Sequence, residues 1–319
     1  MKLRQLAFSG LLVTLLSTAF AQQQALITVN PNLFAPGQNI SDATTGAQLQ
    51  ALFAQPNPAS SGLIPLYRPV FAQPVAAGCT LLENIPCTFG GNLAFGYTPT
   101  TIPSAVPILW GDVDEGRNCV LGGPCNPELM TIAPVLRVNF EVPTDLVSAI
   151  AAHIGLDSDS IEAFEAFDST GQLLEVCIGP PFSFPAGCST DLIGGGNQQF
   201  SIGWAQLTIS RPTADISFVL IGGSGNFFPI SRVQFDSPVS VQLAGLLAKV
   251  QGVGPGKSLA NTMLQAQADY AAGDTLTTCS LLASFIGEVS AQDGKHIDHL
   301  TALQLVATGK AVETGIGCQ

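Results

Sequence analysis

Residues 215–250 read DISFVLIGGSGNFFPISRVQFDSPVSVQLAGLLAKV, and the fold turns on how this stretch is parsed. Its centre, Gly222 to Asn226, has the look of a glycine-rich phosphate loop with Ser224 as a nucleophile at the tip. A nucleophile elbow, however, needs G-x-S-x-G between a strand and a helix. Here the order is Gly222, Gly223, Ser224, Gly225, Asn226, and β-forming residues follow. The Lys and Ser/Thr that complete a phosphate-binding loop are also missing. The glycines therefore predict a tight turn between strands at 215–222 and 228–236. In the second of these, Val233 and Phe235 alternate with Arg232 and Gln234, the period of a strand with one buried face. After Pro238 the apolar spacing becomes helical. The passage thus closes a β part and opens a helical one, predicting a β domain over 22–237 and a helical domain over 238–319. Asp236, next to that boundary, is the one residue here with a metal to look for.

Working back from this point, "VLRVNFEV" (135–142), "IEAFEAFD" (161–168), "QLLEVCI" (172–178) and "FSIGWAQLTIS" (200–210) read as further strands. "DSTGQ" (168–172) joins two of them as a hairpin, because Gly171 tolerates the positive φ of such a turn. Many short strands without intervening helices predict a mainly β fold, a two-sheet sandwich of jelly-roll type. "DLVSAIAAHIGLD" (145–157) fits a helix by its alanines and a strand by its Val, Ile and Ser positions. Between 22 and 130, "NLAFGY" (92–97) and "PILWGDV" (107–113) read as strands. The Pro-rich "AQPNPASSG" (54–62) and "TPTTIPSAVP" (98–107) read as long loops around the sandwich.

The chain begins MKLRQLAFSGLLVTLLSTAFAQQQ: two early cations, an apolar run from Leu11 to Leu16, and small residues at Ala19 and Ala21. That pattern predicts a secretory signal peptide over 1–21, cut after Ala21. Losing Lys2 and Arg4 with it leaves 9 of the 11 basic residues against 23 acidic ones, a formal charge of −14. Such a surface repels nucleic acid and anionic lipid. Charged residues make up only 11% of the chain while Gly and Pro number 33 and 22, the balance of an extracellular β-rich protein. After cleavage no segment reads as a membrane-spanning helix. A membrane barrel fits poorly, since 3 Tyr and 2 Trp are too few for its aromatic girdles. Eight cysteines outside the cytosol should be oxidised. Short-range pairing predicts Cys79–Cys87, Cys119–Cys125, Cys177–Cys188 and Cys279–Cys318. Spacing that would suggest a zinc site is absent.

In the helical part, Leu282, Phe285, Ile286 and Val289 form an i, i+3, i+4, i+7 stripe. Ser258 is placed to cap the helix that carries Leu259, Met263, Ala266 and Tyr270, and Gly273 to end it. A bundle this small benefits from a staple. A Cys279–Cys318 bridge closes a loop that chain entropy values at about 4 kcal/mol. Its reduction is expected to melt this part first.

The run "LLAKVQGVGPGKSLANTMLQAQADYAAGDTLTTCSLLASFIGEVSAQDGKHID…GC" resembles the FIMAH domain, a small helical module at the C-termini of secreted bacterial proteins. The likeness lies in Phe285, Ile286, Val289, Ala291 and His296. It implies an accessory module without a catalytic role. The region from "LRVNFEVPTDLVSAIAAHIGLD" to "RVQFD" resembles, more loosely, the jelly-roll, carbohydrate-binding-like domains of exported bacterial proteins. That resemblance favours a strand at 145–154.

Few residues advertise chemistry. His296 and His299 stand three apart, close enough on a helical turn to share a metal. Asp298 between them is equally well placed as a helix N-cap, leaving the histidines solvated. His153 lies in an apolar segment and reads as structural. Asp157, Asp159 and Glu162, and separately Asp112, Asp114 and Glu115, offer the clustered hard oxygens that a structural calcium ion takes, or are solvated turn carboxylates. Trp110 and Trp204 are either sugar-stacking platforms or core. The expectation is an exported, non-catalytic binding or matrix protein whose partner is an extracellular glycan or other surface polymer. The alternatives are a secreted hydrolase using carboxylates or calcium, and a purely structural envelope or biofilm protein.

Overall fold

The computed structural model describes residues 23–56, 63–75, 77, 89–96, 135–154, 162–178, 188–194, 202–223 and 230–318. Its strands are β1 (Gln24–Val29), β2 (Ala47–Pro56), β3 (Leu63–Arg68), β4 (Phe71–Pro74), β5 (Leu93–Gly96), β6 (Val135–Thr144), β7 (Leu146–Ile154), β8 (Glu162–Phe167), β9 (Leu173–Ile178), β10 (Cys188–Gly194), β11 (Ile202–Ser210), β12 (Ile216–Gly223) and β13 (Ile230–Pro238). Four helices follow: α1 (Val239–Lys249), α2 (Ser258–Ala271), α3 (Thr275–Gln292) and α4 (His299–Ile316).

The protein is mainly β. One antiparallel sheet has the order β1-β13-β7-β11-β10, a second β3-β2-β6-β12-β8-β9, and a third pairs β4 with β5. The two large sheets pack their inner faces together. Phe140 of β6 and Phe235 of β13 meet there with ring centres 5.1 Å apart. Period-two alternation is what feeds this core. In β13, Val233 and Phe235 are buried while Arg232 and Gln234 are half-buried, and in β6 Leu136, Val138 and Phe140 point inward.

Residues 146–154 form a strand. β7 is flanked by β13 on one side and β11 on the other, and Val147, Ala149, Ile150 and Ala151 are all buried. A central strand covered on both faces accepts alanines, and that composition is what mimics a helix. The hairpin after β8 forms as its residues require. Gly171 has φ +84°, and the Asp168 carboxylate accepts from the Thr170 and Gln172 amides at 2.8 and 2.9 Å.

The N-terminal stretch departs from its expected character of loops around a sandwich. β1 pairs with β13, and β2 is an interior strand of the six-stranded sheet, between β3 and β6. Ala54–Pro56, read as the start of a loop, complete β2. Their signal is faint because β2 alternates Ala and Leu with Gln, residues of poor or middling β propensity. In β1, Leu26 is 49% exposed and spoils the apolar pattern.

α1 begins directly after β13, with Pro238 at its N-cap. Leu243, Met263, Phe285, Leu305 and Val312 of the helices belong to the same buried cluster as Ala25, Ile27 and Val29 of β1. α4 lies along β1, and the Gln23 side chain donates to the Ile316 carbonyl at 3.1 Å. Asp298 caps α4, accepting from Leu300 and Thr301 amides at 3.1 and 3.0 Å. Gly273 follows the end of α2 at φ +80°. Ser258 does not cap α2. It is the first helical residue, and its hydroxyl donates instead to Glu288 of α3 at 3.0 Å. Cys177–Cys188 and Cys279–Cys318 are disulfide-bonded. Cys79, Cys87, Cys119 and Cys125 lie outside the described residues, as do residues 1–21. Among the described residues no helix is long and apolar enough to cross a membrane.

Candidate binding face

The outer face of the six-stranded sheet carries the most unusual set of side chains. Residues that alternate with the core positions line up there in rows fixed by the pairing register. One row runs Tyr67, Leu52, Val135, a second Gln50, Arg137, Leu220, Glu165, and a third Gln48, Asn139, Phe218, Phe167. Leu52, Val135, Phe167 and Leu220 are buried and form a small apolar cluster separate from the main core. Polar and aromatic groups border it on the side of β3, β2 and β6.

Arg137 is the centre of that border. Its guanidinium carbon lies 3.7 Å from the ring centre of Phe218 and 5.8 Å from that of Tyr67. The shorter distance sets the guanidinium over the Phe218 ring, which in turn stacks on Phe167 at 4.7 Å with only 8° between planes. The Arg137 Nε–H donates to Asn139 Oδ1 at 2.7 Å, and Asn139 donates on to Gln50 Oε1 at 3.2 Å. Gln50 and Gln48 are joined at 3.3 Å. Each link comes from a different strand or from alternate positions of one strand, so the register of β2, β6 and β12 holds the chain of groups in place. Partial burial lowers the Arg137 pKa from its ordinary value, with Tyr67 acting in the opposite sense. Tyr67, on the edge strand, is 45% exposed.

A groove on the other sheet is small. The edge strand β1, the turn at Leu33–Phe34, residues Ala43–Thr44 and α4 enclose about 140 Å³. That is below the 300 Å³ or so at which small-molecule sites begin. Between α1 and the sheets the contacts are buried and structural. Gln242 donates to Ser237 Oγ at 2.7 Å and to the Thr45 carbonyl at 3.2 Å, and accepts from the Thr45 hydroxyl. Lys249 reaches the Asp42 carbonyl at 2.8 Å, and burial lowers its pKa against the opposing charges of Asp42 and Glu141.

Of the residues singled out in the sequence, Trp204 is 2% exposed, with its ring 5.7 Å from Phe89. It is a core residue and offers no face to a sugar. Trp110, Asp112, Asp114, Glu115, Asp157, Asp159 and Ser224 lie outside the described residues. Glu162 opens β8. His299 is exposed and faces Asp293, with Nδ1 2.9 Å from Oδ1, while His296 is exposed on the turn before α4. Among the described residues no three His, Cys, Asp or Glu side chains converge as metal ligands. Asp236 is half-buried on β13. Burial, and then the charge of Asp145, raise its pKa. Tyr67, Gln50, Arg137, Asn139 and Phe218 carry no local motif. Only the pairing of strands distant in sequence brings them together. No family model matches the chain, and no curated protein matches it.

Proposed function

We propose that this is an exported, non-catalytic binding protein whose β-sandwich holds an extracellular glycan or other surface polymer on the outer face of the six-stranded sheet. The observation that carries the reading is the fixed strip of Tyr67, Gln50, Asn139, Arg137 and Phe218. It combines an exposed ring with preoriented amides and a guanidinium, the set that stacks on and hydrogen-bonds to polyhydroxylated chains. The Cys177–Cys188 and Cys279–Cys318 bridges support export, because such bonds persist in oxidising compartments. The destination is the cell surface, the periplasm or the medium.

The strand order supports a jelly roll. One sheet contains β1-β13-β7-β11 and the other β6-β12-β8-β9, with the chain crossing between sheets from β6 to β7, β7 to β8, β9 to β10, β11 to β12 and β12 to β13. Repeated crossing between two sheets is what a jelly-roll sandwich requires, which favours that reading. The FIMAH-like sequence of the helices supports an accessory role for them. The test is retention of the purified protein on a broad panel of insoluble polysaccharides and cell-envelope polymers. Retention by wild type and its loss in Tyr67→Ala is the expected result. No retention across the panel overturns the reading.

A further inference from the structure

We infer that the polymer held on this face is anionic, with Arg137 taking a carboxylate or sulfate group of the ligand. This rests on the binding reading above and adds the ligand's charge to it.

The described ion pairs are Arg211 with Glu175 and Asp215, and His299 with Asp293; Arg137 is in none of them. Glu165, in the same sheet row, is two strands away, roughly 10 Å at ordinary strand spacing. Asp42 accepts from the Gln48 amide at 3.2 Å, at the far end of the chain of amides from Arg137, and with Glu141 acts on Lys249. Arg137 is thus a half-buried cation with aromatic and amide neighbours and no described carboxylate. Burying charge without a counter-ion is costly. A bound anion supplies the missing partner.

The geometry also fixes how such a ligand is met. The contact with Phe218 and the bond from Nε to Asn139 restrain the guanidinium at two points. A guanidinium held through its Nε keeps its two terminal nitrogens for a fork-like pairing with two oxygens of one carboxylate or sulfate. Tyr67, alongside and exposed, is placed to cover the adjoining sugar ring. The formal charge of −12 excludes general attraction to polyanions, so recognition has to be local and confined to this spot.

Binding is measured with the full-length exported protein on polygalacturonate and carboxymethyl-dextran, which carry carboxylates, on dextran sulfate, and on unmodified dextran and mannan. The expected result is retention on one or both anionic groups. Arg137→Met, which keeps the stacked stem, weakens that retention about 10- to 100-fold, in line with loss of a charge-assisted pair. Arg137→Lys restores only a minor part of it, since a point charge lacks the fork. Lys295→Gln, a cation removed from the exposed turn before α4, leaves binding unchanged. Carboxylate and sulfate are told apart by which dextran derivative is retained. Retention on neutral polymers alone, or full retention by Arg137→Met at an unchanged melting temperature, overturns the anionic assignment and leaves the binding reading standing. If Arg137→Met does not fold, equal binding by wild type and Arg137→Lys overturns it as well. No retention on any polymer overturns both.

Discussion

Gly315, in the last turn of α4, lies so close to the first strand that a Cβ there would stand 2.6 Å from the Gln24 carbonyl oxygen and 2.9 Å from the Ala25 Cα. Both obstacles are backbone, and neither rotates away. Gly315→Ala is expected to destabilise the protein by about 2–3 kcal/mol through overpacking. Gly287, on the exposed side of α3, meets nothing within 4 Å, so Gly287→Ala should stabilise by about 1 kcal/mol through helix propensity alone. Urea titrations that move both variants in the same direction would contradict the docking of α4 on β1.

Gln242 is fully buried between α1 and the sheets, with Thr45 and Ser237 as its partners. Gln242→Leu keeps the volume and strands those groups without hydrogen bonds, at an expected cost of about 2–4 kcal/mol. Removing the Thr45 hydroxyl as well, in Gln242→Leu/Thr45→Val, should cost less than the sum of the single variants, because the second change deletes a group already orphaned. Additive costs in denaturant unfolding would show that the two side chains are not coupled.

Asp236 predicts a pH dependence of definite sign. Burial and Asp145 raise its pKa in the folded protein, so the native state holds the proton more tightly than the unfolded chain does. The carboxyl group therefore costs nothing at pH values below the unfolded pKa, near 3.9, and becomes a liability as pH rises through the folded value. Asp236→Asn should match wild type near pH 3 and exceed its stability at pH 7. Asp168, whose pKa is lowered by its hydrogen bonds to Thr170 and Gln172, acts in the opposite sense. Its contribution is present above the unfolded pKa and is lost as pH falls through the folded value. Unfolding midpoints of Asp236→Asn and Asp168→Ala across pH 3–7 should diverge from wild type in opposite directions.

Cys279 and Cys318 tie the start of α3 to the end of α4 across a separation of 39 residues. Replacing both with Ser should cost about 4 kcal/mol on the chain-entropy account. The sequence alone suggested that the helices would then melt first. The shared core of α4 and β1 predicts a single transition instead. Tryptophan fluorescence and the helical circular dichroism signal should report the same midpoint in the Cys279→Ser/Cys318→Ser variant. Two separated midpoints would restore the earlier expectation.

Strands β6, β9, β12 and β13 were legible because Val, Ile, Leu and Phe recur in them at period two. α3 was legible for the corresponding reason at period 3.6. β1 and β2 were not, because an exposed Leu26 and a run of Ala and Gln give no comparable contrast. β10 (Cys188–Gly194) was hidden by its Ser, Thr, Asp and Gly content. The candidate site was invisible for another reason. Tyr67, Gln50 and Arg137 stand on three strands whose adjacency no local pattern encodes. Trp204 illustrates the converse: an aromatic residue is easily noticed, yet nothing in its own neighbourhood distinguishes a platform from a core ring.

The pairing of β1 with β13 also governs timing. Gln24 sits opposite Pro238 and Val29 opposite Val233, so β1 waits for a strand made about 200 residues later before it can be hydrogen-bonded. Its apolar side then waits for α4. Loop closure over such a span is slow. A nascent chain halted before residue 230 leaves both β1 and the β7 edge it would have flanked β13 against without partners, in a form open to aggregation. β1 therefore takes its place in the sheet only after residues 230–238 have been made.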